Sequence, residues 1–104
     1  MLKIIYSQAG EHMADHAVKG WVSNLVNNYV EDSDSVVSVS NELAIETMRI
    51  EIKHGNIDSK EVLFFNGQDD EFGIRVDKDG NLEEWPKGFC DFKDNILTTM
   101  LGWD

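Results

Sequence analysis

Three histidines, His12, His16 and His54, are the first residues that could ask for a metal. Read on one helix, His12 and His16 stand four apart and share a face. A zinc site of the HExxH kind also needs a glutamate after the first histidine and a third ligand. The sequence there is HMADH, with no third ligand in view, so the pair reads as helix-surface histidines. DKDGN at 77–81 invites a calcium reading. With Gly80 at the glycine position of an EF-hand loop, the two anchoring carboxylate positions fall on Arg75 and Pro86, so the stretch reads as a turn. Cys90 sits in GFCDF with apolar flanks and no neighbouring histidine, the setting of a packed thiol rather than a nucleophile. Asp69–Asp70 and Glu83–Glu84 are adjacent pairs in turns or extended segments, where solvent is their usual partner. Neither GxSxG nor GxxxxGK[ST] occurs. No catalytic, cofactor-binding or metal-binding residue is assigned, and the residues read as those of a protein that is not an enzyme.

The elements that would position these residues follow from periodicity. Leu2 to Tyr6 is a short β-forming run ended by SQAG, which predicts a strand over 2–6 and a turn. Met13, Ala17, Val18, Trp21, Val22, Leu25, Val26 and Tyr29 mark a wide apolar stripe, predicting a helix over 11–30. SVVSVS predicts a strand at 35–40. Ser40 or Asn41 can cap a helix over 41–54 whose apolar face is Ala44, Ile45, Met48 and Ile52, ending at Gly55. KEVLFF, uninterrupted and apolar, predicts a central strand covered on both faces. EFGIRVD alternates with Phe72, Ile74 and Val76 on one face, and with the extended 82–85 it forms a hairpin across DKDGN. Phe89, Phe92, Ile96, Leu97 and Met100 predict a last helix at 90–101. The expectation is one α/β domain over 1–104, in two or three layers, ordered β-α-β-α-β-β-β-α, mainly parallel with an antiparallel hairpin.

Composition narrows the function classes. The chain has 104 residues, 41% of them hydrophobic, which is enough for one core. Its one cysteine excludes an internal disulfide and suits a reducing cytoplasm. No apolar stretch approaches the roughly 20 residues needed to span a bilayer, so no membrane partner is expected. Residues 1–30 hold two basic and two acidic side chains, so the whole net charge of −11 falls on residues 31–104. Such a surface repels a phosphate backbone, so direct nucleic-acid binding is not expected.

From Val36 onward, VVSVSNELAIETMRIEIKHGNIDSKEVLFF and then IRVDKDGNLEEWPKGFCD resemble the carboxyl-terminal lobe of bacterial ABC/SMC-like AAA-family ATPases, including those of anti-phage defence. The most specific piece is D-x-x-G-x-L-x-x-W-P-x-G-F at Asp77, Gly80, Leu82, Trp85, Pro86, Gly88 and Phe89. The nucleotide elements of that family are missing. There is no Walker A loop and no Walker B strand with its glutamate, and Ser40 stands where the family has its switch histidine.

The resemblance therefore implies a degenerate, detached lobe without nucleotide or other cofactor, cytoplasmic, acting through protein–protein contacts. It would be an accessory subunit or a decoy of a larger ATPase, encoded by a phage or mobile element and used in defence or counter-defence. In the family the lobe continues a larger sheet, so an isolated copy must cover an edge, self-associate as a homo-oligomer or find a partner. The alternative is an acidic DNA mimic that blocks a nucleic-acid-binding protein. The candidate partner-binding residues are Trp85, Phe89 and Trp103 as aromatic anchors, with Glu83, Glu84 and Asp91 as an acidic rim.

Overall fold

The computed structural model of the chain describes residues 1–84, and its architecture is the mixed α/β one expected. The elements are β1 (Leu2–Glu11), α1 (Asp15–Asn28), β2 (Ser35–Val39), α2 (Glu42–Lys53), a 3-10 turn at Ser59–Glu61, β3 (Val62–Asn66) and β4 (Ile74–Arg75). They form one four-stranded sheet in the order β2-β1-β3-β4. β1 pairs in parallel with both β2 and β3, and β4 is antiparallel to β3. KEVLFF therefore supplies an interior strand, as its continuous apolar run predicts. The expected helix at 90–101 lies outside the described residues, as do Trp85, Phe89, Asp91 and Trp103.

Alternation along the strands sorts the core. Leu2, Ile4, Val39, Val62, Phe64 and Ile74 point to one face and are buried there with Val18, Val22 and Val26 of α1 and Ala44, Ile45, Met48 and Ile52 of α2. Both helices therefore lie on the same face. β2 and β3 flank β1 on opposite sides, so the chain steps one way from β1 to β2 and the other way from β2 to β3. Two right-handed crossovers stepping in opposite directions would set their helices on opposite faces. With both helices on one face, the two crossovers have opposite hands, and only one follows the common rule.

Several boundaries differ from the periodicity. β1 runs on past Tyr6: the pairing with β2 shifts there, and Glu11 then returns to pair with Val39. Gly10 makes this possible, since a Cβ there would sit 2.6 Å from the Val39 backbone. The strand holds residues 11–14 out of the helix, so α1 starts only at Asp15 and His12 shares no helix with His16. The hairpin is shorter than expected. β4 holds only Ile74 and Arg75, and among the described residues the expected partner segment contributes a single bridge, Leu82 to Val76.

Phe72 does not share the buried face of Ile74 and Val76: it is 86% exposed. Asp70 breaks the alternation by accepting the N–H groups of Asn66, Phe72 and Gly73, at 3.0, 3.1 and 3.0 Å. Gly73 then takes φ +76°, and any side chain there would run into Leu63.

α2 is buried on nearly every side, and two of its polar residues are used inside. Arg49 Nη1 donates to Glu46 Oε2 at 2.7 Å, and its Nε donates to the Gly80 carbonyl at 2.7 Å. The helix is thereby fastened to the 77–81 turn, and the charge on each partner is met within the fold. No helix among the described residues is long and apolar enough to cross a membrane.

Candidate functional site

Open α/β sheets bind ligands beyond the carboxyl ends of their parallel strands. Here the regular parallel pairing ends at Tyr6, Val39 and Asn66, with Ser40, Asn41 and Glu42 leading into α2. Asn41 is the N-cap of α2: its Oδ1 accepts the Leu43 N–H at 2.8 Å. Its Nδ2 donates to the Met13 carbonyl at 3.2 Å and to Asp15 Oδ1 at 2.9 Å, so the same side chain clasps the start of α1. The Tyr6 hydroxyl donates to Glu42 Oε1 at 3.1 Å. Asn41 and Glu42, which follow the position where the resemblance puts its switch histidine, thus serve as a cap and a clasp. None of Tyr6, Ser40, Asn41, Glu42 and Asn66 carries a positive charge to hold a phosphate.

The amino-end edge has its own polar cluster. The Tyr29 hydroxyl donates to Glu61 Oε1 at 2.7 Å, and the Asp32 N–H donates to the same oxygen at 3.0 Å. Burial first, and then the bond to Glu61 and its charge, push the Tyr29 hydroxyl up to about 12. The Tyr29 and Asp32 bonds in turn hold the Glu61 carboxyl below its ordinary value. This cluster pins the end of α1 to the start of β3 and offers no reactive group. A groove of about 560 Å³ between the helices brings His16 and His54 to one surface beside Lys19 and Glu51. No group of three potential metal ligands occurs among the described residues.

The exposed side chains at the β4 edge make the better candidate. Phe72 stands out on a loop held by Asp70, whose carboxyl is kept below its ordinary value by the Asn66, Gly73 and Phe72 N–H groups. Beside it a shallow hollow of about 190 Å³ is lined by Leu63, Arg75, Val76 and Glu83. Glu83 is held along β4 by its N–H bond to the Arg75 carbonyl at 2.9 Å, and Glu83 and Glu84 are both exposed. Of the sequence-predicted site, the structure thus places the acidic Glu83 and Glu84. Phe72 is the residue that sequence reading missed, because alternation assigned it to the core. The signal was the Asp70–Gly73 spacing, an Asp that can turn the chain just before a glycine.

Comparison of the chain with protein-family models, with curated proteins and with solved structures returns no match.

Proposed function

We propose that the chain is a non-catalytic interaction protein, an accessory subunit or decoy that docks on a larger ATPase through the β4-edge surface. The observation that carries this reading is Phe72, a fully presented aromatic on a loop stiffened by three Asp70 hydrogen bonds, lining one hollow with the exposed Glu83. Aromatic anchors with a polar rim are where binding energy concentrates in interfaces, and a stiff loop loses little freedom on docking. Trp85, an aromatic candidate from the sequence, follows Glu84 directly in the chain. The choice of an ATPase as partner rests on the resemblance, and its supporting feature is the use of Asn41 and Glu42 for clasping rather than for phosphate.

A tagged chain should capture an ATPase carrying Walker motifs. Phe72→Ala and Trp85→Ala should each weaken that capture at least tenfold while the melting temperature moves by only a few degrees. Calorimetry with Mg-ATP should give no heat of binding to the chain alone. The acidic DNA-mimic reading makes the opposite salt prediction. Its complex would collapse between about 50 and 200 mM salt, whereas aromatic docking should persist. An unchanged complex with Phe72→Ala, or submillimolar ATP binding, overturns the proposal.

A further inference from the structure

The sheet face turned away from α1 and α2 carries a pattern of its own. Register puts Val36, Lys3, Leu63 and Arg75 in one row across the sheet, and Ser38, Ile5 and Phe65 in the next. Val36 is 62% exposed, Ile5, Leu63 and Phe65 are only half-buried, and Lys3 and Arg75 are exposed. Parallel strands are ordinarily covered on both faces, and water against this many apolar side chains is unfavourable. The surface is also locally basic in a chain of net charge −11.

We propose that this face is the docking site of the chain's own carboxyl-terminal segment, residues 89–101. Two observations select that occupant over others. Its sequence repeats apolar residues at Phe89, Phe92, Ile96, Leu97 and Met100, one helical stripe to set against the apolar side chains of the face. The tether also has the right length. The described chain leaves the sheet at Glu84, just beyond the Leu82–Val76 bridge at the β4 edge. Residues 85–88, extended, reach about 13 Å, more than the roughly 10 Å between packed layers. Thirteen residues as a helix run about 20 Å, enough to cross four strands spaced about 4.8 Å apart. The face shares Leu63 and Arg75 with the hollow beside Phe72, but the test below reads the chain alone, so its outcome does not depend on any ATPase partner.

The test uses the full chain, isotopically labelled for NMR, with a nitroxide attached at Thr98→Cys in a Cys90→Ser background; residue 98 lies opposite the apolar stripe. The expected result is strong paramagnetic broadening of the Ile5, Val36, Leu63 and Phe65 amides, with the Val22 amide on the far side of the core spared. A second substitution, Phe92→Asp, should abolish that broadening while the Leu2 and Phe64 amide shifts stay in place. In a mixture of nitroxide-bearing unlabelled chains with isotope-labelled chains free of nitroxide, no broadening is expected. Broadening confined to that mixture would assign the face to a second copy and overturn the proposal. Its absence from the open-face amides in every sample would overturn it as well.

Discussion

The two faces of the sheet are built from the same three parallel strands, one residue out of phase, and they have opposite fates. Leu2, Ile4, Val62 and Phe64 vanish beneath two helices, while Lys3, Ile5, Leu63 and Phe65 look out on a surface that no described helix covers. Composition does not separate them well, since Leu63 and Phe65 are as apolar as Val62 and Phe64. The difference is made by where the crossovers run, and the lesson is that a continuous apolar strand states a need for two covers without saying which segment provides each.

The largest effect should come from the covered face. Phe64→Ala is expected to cost about 3–5 kcal/mol, the range for emptying a large buried aromatic site, against about 1–2 kcal/mol for Phe65→Ala. Urea denaturation of the two variants measures this, and equal losses would break the distinction between the faces. Next, Arg49→Ala leaves Glu46 inside the fold without the partner it has now and should cost about 3 kcal/mol or more. The double replacement Glu46→Leu with Arg49→Met should lose much less, because no charge is then stranded. A third, smaller effect tests the clasp at the strand ends. Asn41→Ala removes the α2 cap together with the bonds to Met13 and Asp15 and should cost about 1–2 kcal/mol.

The smallest effects are in pH, and they probe the edges rather than the faces. Glu61 and Asp70 have carboxyl groups held below their ordinary values. Their contribution is therefore present above about pH 4, where the unfolded carboxyls ionise, and is lost as pH falls through the lower folded values. Tyr29 is raised, so its contribution is complete below about pH 10 and is lost as pH climbs towards 12. Denaturation midpoints at pH 7 and pH 3 should draw closer together in Asp70→Asn and Glu61→Gln, and Tyr29→Phe should flatten the alkaline side. An acid limb unchanged in both carboxyl variants would remove these edges as anchoring points.

Much of this architecture was legible residue by residue. The stripe of Val18, Val22 and Val26, the Asn41 cap and the run at Val62–Phe65 each declared its element, because helix and strand periods are local properties of the chain. The misreadings have two causes, one distant in the chain and one local. Gly10 looked like a turn residue, yet it is there because the Val39 main chain passes too close for a Cβ. Phe72 looked like a core residue, yet Asp70 gathers three amides and turns it outward. Of the candidate site, the acidic Glu83 and Glu84 were read correctly as exposed, while Phe72, the aromatic that lines one hollow with Glu83, was not.

The sequence by itself determined the class of fold, the order of the described elements and the acid distribution, all of which are carried by residue types and short spacings. Only the tertiary structure decided that β1 lies between β2 and β3, that both helices share a face, and that Arg49 reaches the Gly80 carbonyl. Those outcomes depend on which surfaces meet once loops of 20 or so residues close. Closing them commits one side of each strand to the core and leaves the other to whatever the chain can still bring to it.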